Sequence, residues 1–149
     1  MAKTLIRRAV TADFDTLLEI DQASFPGGVA YDAVELAYFI ERGETLVLEE
    51  EGQIAAFVLL EVHRTRRSGT IVTLDVREPY RRKGYGTQLL NRAEHILSDF
   101  GVEAYDLQVD VTNRGAITFY KKHGFHIVRT LRRYYANGND AYLMVKELG

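Results

Sequence analysis

Ile71-Val-Thr-Leu-Asp-Val76, continuing into Arg77-Glu-Pro-Tyr-Arg-Arg-Lys-Gly-Tyr-Gly86, is the stretch on which the fold turns. An apolar run enters a basic, glycine-containing loop, after which Leu89, Leu90, Ala93, Ile96 and Leu97 recur on one helical face. The order is strand, loop, helix. Such a junction gathers backbone N–H groups and the positive end of a helix dipole at one spot, where phosphate oxygens can settle. Arg81, Arg82 and Lys83 add charge, and Gly84 and Gly86 let a ligand approach the backbone. Neither a Walker A loop nor Gly-x-Gly-x-x-Gly fits: no Gly-Lys-Ser/Thr follows, and position 89 is Leu.

A second segment, Leu107 to Val128, reads LQVDVTNRGAITFYKKHGFHIV. Tyr105, Leu107, Val109 and Val111 alternate with Asp106, Gln108 and Asp110, the pattern of a half-buried strand. Thr112 or Asn113 can cap a following helix with Ala116, Phe119 and Tyr120 as its apolar stripe, and Gly124 supplies the stop.

The first segment contains Arg/Gln-x-x-Gly-x-Gly/Ala at Arg81, Gly84 and Gly86. The second contains Asn-x-x-Ala-x-x-Phe-Tyr-x-x-x-Gly-Phe at Asn113 to Phe125. In this order they resemble the two signatures of the GCN5-related N-acetyltransferases, the acetyl-CoA-dependent GNAT family. Essentially the whole chain fits that family's element order. The resemblance implies a mixed, mostly antiparallel α/β sheet of about seven strands, with helices on both faces and a splayed central strand pair.

Around these segments, Leu5 to Val10 reads as a first strand, and Thr11 as the cap of a helix carrying Phe14, Leu17, Leu18 and Phe25. Pro26-Gly27-Gly28 breaks it, and Tyr31 to Arg42 forms a second helix ending at Gly43. Thr45 to Glu49 and Ile54 to His63 are strands joined by a hairpin turn at Glu51-Gly52. Arg67-Ser68-Gly69 turns the chain into the strand before the phosphate loop. Ile127 to Arg132 and Ala141 to Lys146 are the last strands, separated by a turn-rich segment from Ala136 to Asp140.

The 149 residues, 46% of them apolar, predict one domain with a real core. A net charge of −2 argues against a general nucleic-acid binder, and no long apolar stretch or leader pattern predicts a membrane span. Zero cysteines rule out disulfides and thiolate ligands, and His63, His95, His123 and His126 show no metal spacing. His123 and His126 read as ordinary surface or turn residues. The expectation is a cytoplasmic protein, monomer or homodimer, with no metal and no nucleic-acid or membrane partner.

Acyl transfer to an amine requires a held acyl carrier, a stabilised oxyanion, a deprotonated amine and a protonated leaving thiolate. Carried over residue by residue, the resemblance implies pyrophosphate contacts from Arg81, Arg82, Lys83, Gly84, Tyr85, Gly86 and Thr87. It implies pantetheine contacts from the backbone of Leu74, Asp75 and Val76 and from Asn113, with the oxyanion donor at or near the Val76 N–H. Tyr120 occupies the general-acid position; a phenol with pKa about 10 stays protonated at neutral pH. RimI-like ribosomal-protein alanine acetyltransferases carry Leu-Glu-Val-Arg where this chain has Leu107-Gln108-Val109-Asp110. Gln108 at best orients a water. Asp110, two residues along and roughly 7 Å away, steers or deprotonates the amine, or is simply a solvated carboxylate.

A site without a strong base suits amines of low pKa. Roughly a tenth of an α-amine is neutral at pH 7, against about 0.04 percent of a lysine amine. Arg133-Tyr134-Tyr135, Asp140 and Met144 resemble the tail of N-terminal acetyltransferases, in which tyrosines bond the peptide backbone. Phe25 and Pro26 resemble the opposite wall. Together these point to transfer from acetyl-CoA to a protein N-terminal α-amine. A small-molecule amine and a catalytically weak acyl-CoA-binding role are the alternatives.

Overall fold

The computed structural model describes residues 2–149. Strands β1 (Thr4–Arg8), β2 (Glu44–Glu50), β3 (Gln53–His63), β4 (Ser68–Val76), β5 (Ala104–Asp110), β6 (His126–Leu131) and β7 (Ala141–Glu147) form one sheet in the order β1-β2-β3-β4-β5-β7-β6. Every neighbouring pair is antiparallel except β4 and β5. Helices α1 (Phe14–Ser24) and α2 (Ala33–Arg42) cover one face, α3 (Tyr85–Asp99) and α4 (Arg114–Lys122) the other.

Strand alternation divides the core between these faces. Val47, Phe57 and Leu59 pack with Leu17 and Ile20 of α1 and Leu36 of α2. Leu46, Leu48, Val58 and Leu60 point the other way, onto Leu89, Leu90, Ala93 and Leu97 of α3. A one-residue irregularity in β4 decides what faces the site. Leu60 pairs with Ile71 but Leu59 pairs with Thr73, so Val72 is extra. Cross-strand partners share a face, so beyond this bulge Thr73 and Asp75 join Leu59 and Phe57 on the α1 side.

Several local expectations need adjustment. The first helix is preceded by a single 3-10 turn at Thr11–Asp13, and Asp13 rather than Thr11 takes the N-cap place. Asp13 is held by Arg7 at 2.8 Å and accepts from the Val10 N–H at 2.7 Å. The second helix begins at Ala33, because Asp32 and Glu35 close a reciprocal capping box. Ser68 and Gly69 already belong to β4; the turn lies before them, at Arg64–Arg66 and Arg67 with φ 50°. Glu51 (φ 50°) and Gly52 (φ 79°) make the expected hairpin turn with both central residues left-handed. Gly43 is required for another reason: a β-carbon there would stand 2.2 Å from the Leu60 carbonyl oxygen.

Candidate active site

β4 and β5 pair only through Ser68–Ala104, Gly69–Tyr105 and Thr70–Asp106. Beyond those contacts the strands diverge. Between them opens a cavity of about 350 Å³, walled by residues 71–76 of β4 and 107–110 of β5, with Tyr120 of α4 and Tyr134 and Tyr135 of the β6–β7 loop. Leu74, Asp75, Val76, Gln108, Asp110, Asn113, Tyr120, Phe25 and Arg81 all line this one space.

Of the phosphate-loop residues 81–87 only Arg81 lines this cavity, and α3 begins four residues later, at Tyr85. Arg82 (φ 65°) and Gly84 (φ 82°) lie in the left-handed region, turning the chain sharply into the helix. The first helical bond runs from the Gln88 N–H to the Gly84 carbonyl at 3.1 Å. The N–H groups of Tyr85, Gly86 and Thr87 therefore have no intrahelical acceptor, the arrangement that suits a phosphate. Gly86 permits close packing behind them: its β-carbon would sit 3.3 Å from the Phe119 ring. The loop side chains are differently employed. Arg81 Nε donates to the Val76 carbonyl at 2.9 Å, Lys83 pairs with Glu50 at 2.8 Å, and the Tyr85 hydroxyl also donates to Glu50. Arg82 is exposed. Thr87 meets His123 Nε2 at 3.1 Å, and the His123 ring lies 4.5 Å from Phe119. His123 is thus packed against the first turn of α3 rather than free at the surface.

Asn113 is the N-cap of α4, its Oδ1 accepting from the Ala116 N–H at 3.2 Å. That helix aims Tyr120 inward, and burial, then the neighbouring Asp75 and Tyr135, push its phenol well above the usual tyrosine range. Gln108 projects from β5 into the cavity with no carboxylate to offer.

Asp110 is not a solvated carboxylate. It is 5% exposed and accepts from Thr112 N–H (2.9 Å), Thr112 Oγ1 (2.8 Å) and Asn139 Nδ2 (2.9 Å). Burial alone would raise its pKa, but the bonds from Asn139 and Thr112 outweigh it and hold the carboxyl below the ordinary range. Its lone pairs bind the β6–β7 loop to β5. This is a structural employment.

The α1 side of the cavity holds what sequence reading missed. Asp21, Thr73 and Asp75 are all buried and touch one another. Thr73 Oγ1 lies 3.2 Å from Asp21 Oδ1 and in close hydrogen-bond contact with Asp75 Oδ1, and the Tyr31 N–H donates to Asp21 Oδ2 at 2.8 Å. Asp75 Oδ2 has no partner among the described residues. Burial, reinforced by Asp21, raises the Asp75 pKa well above the normal carboxylate value. A buried acceptor left unpaired costs about 1–3 kcal/mol, so it calls for an explanation. The sequence signal was present: Thr and Asp alternate inside an apolar strand. Only the Val72 bulge turns them toward α1.

Two loops roof the cavity. The Ala136 N–H donates to the Gly28 carbonyl at 3.1 Å, joining the β6–β7 loop to the α1–α2 loop. A β-carbon on Gly28 (φ 86°) would lie 2.6 Å from the Asn137 nitrogen. Tyr135 N–H bonds the Asn139 carbonyl at 3.1 Å, and the Tyr134 and Tyr135 rings meet edge to face at 5.0 Å. Asp140 Oδ1 accepts from the Arg133 N–H at 2.9 Å, stabilising the loop base.

Residues 14–125 match the model of the acetyltransferase (GNAT) family. The chain belongs to the GNAT family. It is 34% identical over 159 residues to the N-alpha-acetyltransferase of Sulfolobus acidocaldarius, covering 96% of this chain and 92% of that protein. The ribosomal-protein-S18-alanine N-acetyltransferase of Escherichia coli superimposes with a TM-score of 0.87 at 26% identity, covering 99% of this chain and 95% of that one. Arabidopsis thaliana Naa50, solved with bisubstrate analogue CoA-Ac-MVNAL, gives a TM-score of 0.85 at 26% identity, covering 97% and 98%.

The protein is thus an N-acetyltransferase with acetyl-CoA as cosubstrate. The GNAT residues fit that group: the N-terminus of α3, whose first N–H groups have no intrahelical acceptor, follows a strand whose edge, like that of β5, has no strand partner across the gap beyond Thr70 and Asp106. No group of three or more His, Cys, Asp or Glu side chains suited to a metal occurs among the described residues. Nor is any described helix long and apolar enough to cross a membrane.

Proposed function

We propose that this enzyme transfers the acetyl group of acetyl-CoA to the α-amine of protein N-termini, in the cytoplasm. The observation that carries this is the roof: two loops, joined backbone to backbone at Gly28 and Ala136, enclose the amine side of the gap with Phe25, Tyr31, Tyr134 and Tyr135. An enclosure of that kind suits the end of a chain better than a side chain projecting from a folded surface. Similarity to N-alpha-acetyltransferases over almost the whole chain supports the same substrate class.

Within that reading, the N–H groups of Tyr85, Gly86 and Thr87 hold the diphosphate, with Arg81, Arg82, Lys83 and Gly84 shaping the loop. The edges of Leu74, Asp75 and Val76 align the pantetheine arm beside Asn113. The Val76 N–H, or its neighbour, stabilises the oxyanion. Tyr120, kept protonated by burial, gives its proton to the departing sulfur. Phe25 forms one wall of the peptide groove, and Tyr134 and Tyr135 the other; Pro26 lies outside the cavity lining, where its carbonyl accepts from the Val29 and Ala30 N–H groups. Asp110 fixes the second wall through Asn139.

The test is acetylation of a peptide panel read by mass spectrometry, with free N-termini, blocked N-termini carrying internal lysines, and small amines as separate arms. Modification confined to free N-termini is expected. Rapid lysine acetylation with untouched N-termini refutes the reading.

A further inference from the structure

The donors around Thr73 do not balance unless a carboxyl carries a proton. The Thr73 hydroxyl has one hydrogen yet lies within bonding reach of both Asp21 Oδ1 and Asp75 Oδ1. It can donate to only one of them. Asp21 also receives the Tyr31 N–H, so it has a donor for each oxygen if Thr73 points its hydrogen that way. Asp75 then supplies the remaining hydrogen, from Oδ1 to the threonine oxygen. Asp75 is neutral in this arrangement and Asp21 is ionised. Asp75 Oδ2, a buried carbonyl-type acceptor with no partner among the described residues, belongs to a side chain that lines the same cavity as Gln108 and Tyr120. Asp110, the other carboxyl lining that space, is occupied by its three donors.

We propose that the proton lost by the substrate amine is taken up at Asp75 Oδ2 and passed through Thr73 to Asp21. This rests on the N-terminal acetylation reading. An N–H bond of the ammonium breaks and its proton joins Oδ2. The Oδ1 proton moves to Thr73 Oγ1, and the threonine hydrogen moves to Asp21 Oδ1. Both carboxyls end neutral, and the nitrogen has its lone pair free. Nitrogen then bonds to the acetyl carbon as the carbon–sulfur bond breaks. Tyr120 protonates the sulfur and recovers a proton from the nitrogen; after product leaves, the relay runs back from Asp21 through Thr73 to Asp75 Oδ1, and the Oδ2 proton is released through the emptied cavity. Asp75 is the catalytic residue, and Thr73 and Asp21 act through it as positioning residues. The charged and titratable groups facing the pair are Tyr31, Arg81, Asp110, Tyr120, Tyr134 and Tyr135. Arg81 opposes the raised Asp75 pKa, and burial and Asp21 support it.

The relay lets the ammonium form react, so its loss should show as a pH profile. The measurement is kcat/KM for an N-terminal peptide from pH 6 to 9, with acetyl-CoA affinity measured by calorimetry on each variant. With an α-amine pKa near 8, Asp75→Asn and Thr73→Val must wait for free amine. They should match wild type at pH 9, fall about tenfold below it at pH 7 and about a hundredfold at pH 6. Thr73→Ser restores the wild-type profile, and acetyl-CoA affinity stays unchanged in all. Variants that track wild type across the range overturn the proposal, as does a uniform loss at every pH. Absence of N-terminal acetylation by the wild-type protein sinks the functional reading itself, and this one with it.

Discussion

Gly28→Ala is the sharpest probe of the roofed groove. Gly28 sits at φ 86°, where a side chain costs about 1–2 kcal/mol. Its new β-carbon would lie 2.6 Å from the Asn137 nitrogen and 3.2 Å from the Asn137 Cα. Those are backbone atoms, so the neighbour cannot rotate away, and the loops must part. Parting them breaks the Ala136–Gly28 hydrogen bond, about 1 kcal/mol more. The sum is about 2–3 kcal/mol against the closed arrangement. At about 1.4 kcal/mol per tenfold, that predicts a peptide KM raised roughly 30- to 140-fold. The cradle at residues 82–87 leads into α3, on the opposite face of the sheet from α1 and α2, so the KM for acetyl-CoA should not move. Steady-state kinetics with each substrate varied separately, read by thiol release, makes the comparison. Equal rises in both KM values, or an unchanged peptide KM, would show that closure of these loops does not form the peptide site.

Three further outcomes follow from the geometry. Tyr120→Phe removes only the hydroxyl, so it should cut kcat by about 10²–10⁴ while leaving acetyl-CoA affinity intact; unchanged turnover removes it as the acid. Gly43→Ala forces a β-carbon to 2.2 Å from the Leu60 carbonyl and 3.0 Å from the Phe39 carbonyl, so destabilisation of about 3 kcal/mol is expected. That corresponds to a Tm lowered by about 6–12 °C, and a change of less than 2 °C (about 1 kcal/mol or less) would contradict the packing. Asp75 has a folded pKa raised by burial and Asp21, so its contribution to stability is fully present below the unfolded carboxylate value and is lost as pH rises through the folded one. Asp75→Asn has nothing to ionise there. Its Tm relative to wild type should climb from pH 5 to pH 8, and a pH-independent difference would refute the linkage.

Much of this architecture was legible along the chain because its causes are local. Period-two and helical spacing, the Glu51-Gly52 hairpin and the Asn113 cap each depend on a few neighbouring residues. The phosphate-loop junction was legible for the same reason, since a helix N-terminus is an anion site wherever it occurs. Boundaries moved where a longer-range partner intervened, as with Asp13, whose place is decided by Arg7 from β1.

Sequence alone determined the element order, the sheet-helix class and the two motifs that assign the chain to its family. Tertiary structure alone decided which side chains meet. The extra residue at Val72 reverses the facing of β4, and that reversal brings Thr73 and Asp75 to Asp21, fifty-two residues from Thr73 in sequence. Asp110 looked available by its spacing from Gln108, yet Asn139, from a loop that returns over β5, claims its oxygen. Periodicity reports which residues share a strand face. It cannot report a slip in register or a distant donor, because both arise only when separate segments pack.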